Sequence, residues 1–518
     1  MELLKRNIHM DRVCSRNEIQ FTLEEDRNVP DARPDASMII CNDGELTVDE
    51  IRPGTDQVWV RGNLKYQILY TAVDENVPQV VAGQIPFEEQ VHMEGVNPND
   101  SVTVETSLQD LTTSLINSRK LSIQSIIGLE LYVSELYDEE TAVGIRDEER
   151  IEYSHTHLDI LQTTIRKKDI FRIREELSLP RELPNILNII WKKIRVGRLE
   201  WKPLDGKLGV QGELHIFVLY ETMDEENPVQ IYQTVVPFDA SVECQGSTEN
   251  AVLDVQTRLA HKELEIHADN DGEERMLGLE VVMDLGIVMY EQEALELLSD
   301  VYAVTRQIQT REREGCFNRL LSDVRGRQKL SGRARLTAPA GVRKILNLDG
   351  HIVCDHREIR DQGVGINGSV ELELLYQTGD KEKPFASEKV SLPFDYTCEA
   401  PGLKPDGAYR MQYHIEDMDA SMLDSEEAEV NAGIVFDLLA FDTRKEQIIE
   451  EITTRELDQE TMNALPGMVI YVVQPGDSLW KIGKRYYVPV DVIKELNGLT
   501  GNDIYPGDKL LLMKHSPT

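Results

Sequence analysis

Gly62-Asn63-Leu64-Lys65-Tyr66-Gln67-Ile68-Leu69-Tyr70 returns as Gly212-Glu213-Leu214-His215-Ile216-Phe217-Val218-Leu219-Tyr220 and again as Gly368-Ser369-Val370-Glu371-Leu372-Glu373-Leu374-Leu375-Tyr376, at offsets of 150 and then 156 residues. Apolar side chains alternate with polar ones in each copy. Leu64, Tyr66 and Ile68 share one face, as do Leu214, Ile216 and Val218, then Val370, Leu372 and Leu374, and a period of two is the period of a β-strand. Upstream, Val29-Pro30 to Ile40 matches Leu179-Pro180 to Ile190, with a weaker copy from Pro339 to Leu346. Downstream, each copy has an apolar residue before Pro-Phe (Pro86-Phe87, Pro237-Phe238, Pro393-Phe394) and closes on an apolar stretch led by Gly128, Gly278 or Gly433. Turn-forming segments such as Asp224-Glu225-Glu226-Asn227-Pro228 follow the repeated tyrosines, where a hairpin would reverse.

These signals predict three antiparallel all-β repeats of sandwich or barrel type, built from short strands and strung as beads. The expected division is an N-terminal segment 1–16, repeats over 17–165, 166–320 and 321–452, a linker 453–467 and a separate terminal domain 468–514. Thr443 to Leu457 is helical in composition and suits that linker. The repeated glycines and tyrosines read as structural, marking a close backbone approach and a packed strand end.

Composition narrows the function. The chain has 518 residues, enough for several cored domains, and its 41% apolar and 29% charged content excludes disorder along the whole length. Lys plus Arg number 55 against 93 Asp plus Glu, a net charge of −38, which repels nucleic-acid phosphates and anionic lipid. Charge interrupts Met1 to Met10 where a signal peptide needs an apolar run, and no stretch reaches the length of a membrane span. The chain therefore reads as cytoplasmic. Six scattered cysteines (Cys14, Cys41, Cys244, Cys316, Cys354, Cys398) form no Cys-x-x-Cys pair, which implies neither zinc nor a disulfide framework.

Catalytic and cofactor motifs are missing as well. There is no phosphate-binding glycine loop, so a nucleotide would belong to a partner. No nucleophile elbow or Cys–His set is marked out, and a non-enzyme with no cofactor is expected. His155 and His157, with Asp159 beyond, could line one face of a strand as metal ligands, yet one strand supplies only part of a coordination shell and an exposed connector is the simpler account. Asp269-Asn270-Asp271-Gly272-Glu273-Glu274 lacks the full calcium-loop pattern and reads as an acidic hairpin tip.

The last fifty residues follow another pattern. Between Met468 and Lys514 stand six basic and five acidic residues, so this end carries +1 and the rest −39. A short strand from Val469 leads to the turn Pro475-Gly476-Asp477, with Asp477 suited to cap a helix that buries Leu479, Ile482 and Tyr486. A second helix from Pro489 should bury Val492, Ile493 and Leu496 before Asn497-Gly498, and Pro506-Gly507-Asp508 opens a closing strand, giving a small α/β domain of order βααβ.

These three blocks, Gln474-Pro475-Gly476-Asp477-Ser478-Leu479-Trp480, Ile493 to Leu499, and Ile504-Tyr505-Pro506-Gly507-Asp508, resemble the LysM domain in order and spacing. Gly483 departs from the alanine usual there, which costs helix propensity. The resemblance implies a groove between the two loops that binds N-acetylglucosamine polymers. Its candidate residues are Gly476, Asp477, Ser478, Leu479 and Trp480 on one side and Ile504, Tyr505 and Pro506 on the other. On structure alone, Leu479 and Ile504 serve equally as core, and Gly476 and Pro506 as turn residues. Trp480, one position round from the buried stripe, is expected partly outside it, either as an interface anchor or as a cover for the domain's edge.

The triple unit is similar to the SPOCS repeat. Three such repeats before one LysM domain resemble the SipL-like family of spore-coat morphogenetic proteins. That resemblance implies a scaffold in the mother-cell cytosol at the forespore surface that binds the stage IV sporulation protein A ATPase through its LysM domain, with other coat proteins as further partners. Two rivals are a peptidoglycan- or chitin-oligomer-binding protein and a hydrolase with an appended LysM domain.

Overall fold

The computed structural model describes residues 2–73, 77–146, 151–338, 340–380, 383–456 and 467–513. The first repeat comprises β1 (Glu2–Asn28), β2 (Ala36–Pro53), β3 (Gln57–Ala72), β4 (Gln79–His92), β5 (Val102–Asn117) and β6 (Lys120–Arg146). They form two antiparallel sheets of order β2-β3-β4 and β1-β6-β5. One core, with Val58, Val60, Leu64 and Tyr66 from the first sheet and Leu121, Ile123, Ile127 and Leu129 from the second, joins them as a sandwich.

The plan repeats twice. The second unit is β7 (Ile151–Ser178), β8 (Asn188–Leu204), β9 (Lys207–Glu221), β10 (Val229–Glu243), β11 (Val252–Ala268) and β12 (Glu274–Ala303). The third is β13 (Arg306–Arg335), β14 (Val342–Arg360), β15 (Gly363–Thr378), β16 (Phe385–Glu399), β17 (Ala408–Met422) and β18 (Glu427–Glu456). Their sheets are β8-β9-β10 with β7-β12-β11, and β14-β15-β16 with β13-β18-β17.

The recurring motifs now have a shared cause. Gly62, Gly212 and Gly368 lie directly opposite Phe87, Phe238 and Phe394 of the Pro-Phe blocks. A Cβ at Gly62 would come within 2.6 Å of the Phe87 ring and one at Gly212 within 2.5 Å of Phe238, so the ring occupies the missing side chain's place. The buried hydroxyls of Tyr70 and Tyr220 donate to the Pro34 and Pro184 carbonyls at 3.1 and 3.2 Å, and Tyr376 donates to Thr337 at 3.4 Å. The Val-Pro block and the Gly-to-Tyr block therefore recur together because each repeat ties one to the other.

Four expectations are corrected. The N-terminal segment 1–16 is not separate, since β1 pairs with β6 along its whole length from Glu2. The boundaries expected at 165 and 320 fall inside β7 and β13, whose outer halves carry no copy of the inner motif. The charged segment from Thr443 is strand, not helix: β18 continues to Glu456 against β13, with Ile448 and Ile449 buried. The linker 453–467 thus begins within β18, and residues 457–466 lie outside the described residues. Nor are all the strands short, as β1, β6, β7, β12, β13 and β18 run 27 to 30 residues each.

The repeats are not beads. Ile40, Ile190 and Leu346, at the same offsets of 150 and 156, meet in one apolar cluster with Leu69, Leu219 and Leu375. The outer halves of the long strands pack together a second time, Ile8 and Met10 against Leu158, Ile160, Leu295, Leu297, Phe317 and Ile448. Three sandwiches thus surround one pseudo-threefold axis and continue into a three-way stalk of two-stranded antiparallel ribbons. Between the sandwiches lies a cavity of about 2040 Å³, lined by charged, polar and apolar side chains from all three.

Charge completes the axis. Asp43, Lys193 and Asp349 stand at equivalent positions, and the Lys193 ammonium lies 2.5 Å from each carboxylate. Arg410 likewise pairs with Asp11 and with Asp254, its own equivalent in the second repeat. Three identical chains would bring three like charges to such an axis. One chain with diverged repeats can set a cation between two anions.

Candidate functional site

The terminal domain hangs beyond the stalk. Its strands β19 (Met468–Val472) and β20 (Lys509–Met513) pair antiparallel, and α1 (Leu479–Tyr486) and α2 (Val490–Asn497) cover one face. Val473, Leu479, Ile482, Val488, Ile493, Leu510 and Leu512 form its core. Of the second helix's expected core only Ile493 is fully buried, since Leu496 is 36% exposed and Val492 half-buried. Gly498 ends α2 in the left-handed conformation, φ +63°, as the sequence reading expects.

The groove rims are two copies of one turn. Gln474-Pro475-Gly476-Asp477 and Tyr505-Pro506-Gly507-Asp508 each place glycine at positive φ, +85° and +98°. In each, the aspartate carboxylate accepts the N–H three residues back, from Gln474 or Tyr505, at 2.8 Å. Backbone bonds from Val473 N–H to Asp508 and from Gly507 N–H to Val473, both 2.9 Å, lock the rims side by side.

This corrects the role expected of Asp477. Ser478 caps α1, its hydroxyl accepting the Lys481 N–H at 3.2 Å, while Asp477 also accepts the Tyr471 hydroxyl at 2.6 Å. That bond, with the one from Gln474 N–H, holds the Asp477 carboxyl below its ordinary value. Leu479 is core. Gly476 and Pro506 are exposed, Ser478 and Ile504 half-buried, and Tyr505 stands 69% exposed.

Trp480 takes another course. It lies off the buried stripe, and its indole N–H donates to Asp300 of the second repeat at 2.8 Å. Its ring meets Tyr302 edge-on, centroids 4.9 Å apart. The structure thus sets the turn carrying Gly476, Asp477 and Ser478 beside the one carrying Ile504, Tyr505 and Pro506, and turns Trp480 toward β12. Nothing in the local pattern marked Asp300 or Tyr302, because their role depends on where the tail comes to rest. The axial residues did leave a trace: Asp43, Lys193 and Asp349 share the repeat offsets.

The remaining candidates have local explanations. His155 lies 3.2 Å from the Val143 carbonyl and His157 3.7 Å from a Glu296 oxygen, with Asp159 exposed along the same face of β7. Asp269 accepts the N–H groups of Asp271 and Glu273 at the β11–β12 hairpin tip. In the central cavity, burial pushes the carboxyls of Glu105 and Glu373 up to about 7. Among the described residues no helix is long and apolar enough to cross a membrane.

Comparison with known proteins agrees with this architecture. The family model "SipL, SPOCS domain" matches residues 17–116, 185–267 and 341–423, just over half of the chain, and the LysM domain model matches 471–512. Among curated relatives, the chain is 51% identical over 45 residues to YdhD of Bacillus subtilis, whose name describes a sporulation-specific glycosylase. It is 39% identical over 67 residues to the N-acetylmuramoyl-L-alanine amidase sle1 of Staphylococcus saprophyticus. A third relative, the uncharacterized YkzQ of Bacillus subtilis, is 45% identical over 38 residues. These matches cover 9%, 13% and 7% of the chain, and 11%, 20% and 51% of the relatives' own lengths. No solved structure matches. The LysM match identifies the tail as a module of the peptidoglycan- and chitin-binding kind, and the SPOCS match ties the body to sporulation. The chain belongs to the SipL family, three SPOCS repeats followed by one LysM domain.

Proposed function

We propose that this chain is a non-enzymatic scaffold of spore-coat assembly, in which the three-repeat body is a rigid platform and the LysM domain engages the stage IV sporulation protein A ATPase at the forespore surface, on the mother-cell side. The supporting observation is the division of labour in the tail. Its fold is closed by its own core, while the turns at Gly476–Ser478 and Ile504–Pro506 lie side by side at its surface and present Tyr505. An exposed aromatic between rigid turns suits a recognition surface, because little side-chain order is lost on binding. The full chain should be retained by the purified, immobilised ATPase, and a chain ending at Glu456 should not. Equal retention of both would move the partner surface to the repeats.

The same exposed turns support a second reading, in which a groove between them holds an N-acetylglucosamine polymer. Titration of the full chain with chitin oligomers separates the two. The scaffold reading expects weak binding, since among the described residues of the tail only Tyr505 is an exposed aromatic available for stacking, and micromolar affinity favours the glycan.

A further inference from the structure

The contact between the LysM domain and the second repeat is small and specific. Asp300 sits just beyond a register shift in β12, where the irregularity turns its side chain outward from the stalk. One carboxylate oxygen accepts the Trp480 indole N–H at 2.8 Å and the other meets the Lys484 ammonium at 2.5 Å. Two residues on, the Tyr302 hydroxyl donates at 2.9 Å to the Val488 carbonyl, which closes the turn between α1 and α2. Gly483 makes room for it. A Cβ there would come within 2.6 Å of the Tyr302 hydroxyl, so the glycine that departs from the LysM pattern is the residue over which Tyr302 passes.

The other two ribbons of the stalk, β1 with β6 and β13 with β18, lack this surface. By pairing register, Asp300 corresponds to Gly144 and Glu451, opposite Leu4 and Arg311, and Tyr302 to Arg146 and Thr453. The tail leaves the third repeat and returns to the second. Gly144 has no side chain to offer, Glu451 pairs with Arg311 at 3.2 Å, and neither has an aromatic ring two residues on, so the second repeat alone among these three sets a carboxylate beside a tyrosine.

We propose that Asp300 and Tyr302 form a docking surface for the LysM domain that holds Trp480 covered, so that a partner reaching Trp480 competes with the second repeat. The competition part rests on the partner reading above; the docking does not. One ion pair, two hydrogen bonds and a ring contact would not hold two separate molecules together. Tethering through residues 457–466 raises the local concentration of the tail to the order of millimolar, at which so slight a contact is substantially closed. A closed fraction lowers apparent affinity by the same fraction, without reshaping the turns.

The test is hydrogen exchange of the Trp480 indole N–H in the full chain, its resonance identified by its loss in Trp480→Phe. Asp300→Lys should speed that exchange about tenfold, and adding Lys484→Asp should slow it again by restoring an opposite pair. Unchanged exchange in Asp300→Lys overturns the docking surface. Faster exchange that the charge swap does not slow overturns the pairing and assigns the effect to a damaged ribbon. With the purified ATPase, Asp300→Lys should bind about threefold to tenfold tighter. Equal affinity with an opened indole overturns the competition and leaves the docking. Absence of binding by either chain is instead a failure of the partner reading, and the docking surface is then decided by exchange alone.

Discussion

Two places in this molecule set a cation against carboxylates contributed by different modules, and they differ in everything else. At the pseudo-threefold axis the Lys193 side chain is 16% exposed between Asp43 and Asp349, themselves 34% and 29% exposed toward the cavity, beside an apolar cluster from all three repeats. At the tail, Lys484 and Asp300 are 46% and 31% exposed, with one aromatic pair beside them. Removing water makes the axial ions dependent on one another, because neither can be left alone in a low-dielectric interior. Solvent screening makes the tail pair dispensable. The axis is thus suited to hold permanently and the tail to let go.

The sharpest way to break that contrast is at the axis. Lys193→Ala leaves the half-buried carboxylates of Asp43 and Asp349 facing each other without a counter-charge, and should cost about 2–3 kcal/mol by urea unfolding, less than the loss of a fully buried partner. Replacing all three groups together, Asp43→Asn, Lys193→Met and Asp349→Asn, should cost far less, since no unpaired charge remains. A loss below about 1 kcal/mol in Lys193→Ala would mean that water reaches the axis and that it is no different in kind from the tail.

A smaller effect should come from the cavity beside that axis. Burial is the chief cause that lifts the Glu373 carboxyl to about 7, with Asp349 adding to it and Lys389 and Lys193 opposing. An unfolded glutamate gives up its proton near 4.3, so the folded state binds the extra proton between roughly pH 4.3 and 7. Stability from this group is therefore full below that window and lost as pH rises through it. Glu373→Gln should flatten the fall in unfolding free energy between pH 5 and pH 8 by an amount on the order of 2 kcal/mol. An unchanged slope would show that Glu373 is solvated in the fold.

How much of this was legible follows the same division. Strand faces, the Gly-to-Tyr block and the LysM turns depend on neighbours a few residues away or directly cross-strand, and period and spacing report those. The sequence also carried the axial triad, as three charged residues at matched offsets, but reading it needs the knowledge that the repeats face one axis. The stalk was hidden because the outer halves of β1, β7 and β13 bury a narrow seam, Ile8 and Met10 or Leu158 and Ile160, within strands otherwise rich in charge. Charge density there reads as helix or linker. The meeting of Trp480 with Asp300 left no sequence signal, since a tethered module can rest on any ribbon that offers a carboxylate.

The smallest expected effect is at the tail contact itself. Asp300→Lys should change the unfolding free energy of the repeats by no more than about 0.5 kcal/mol, because the pair is screened and the stalk core beneath it is untouched. Its pH dependence should differ from the cavity's in both direction and window. Burial alone would raise the Asp300 carboxyl, but the hydrogen bonds from Lys484 and Trp480 outweigh it and hold the group below its ordinary value. Docking is then fully supported above the free value near 3.9 and is lost as pH falls through the lower, docked one. Glu152 and Asp491 are the other carboxylates that face Tyr302 at this contact. The Tyr302 hydroxyl is pushed upward, chiefly by burial, and keeps its proton across neutrality. Trp480 indole exchange, corrected for its intrinsic rate, should therefore stay flat from pH 5 to pH 8 and accelerate only below about pH 4. Acceleration near neutrality would mean that a group titrating there governs the contact, which would tie the tail to the cavity carboxyls and remove the distinction between the two regions.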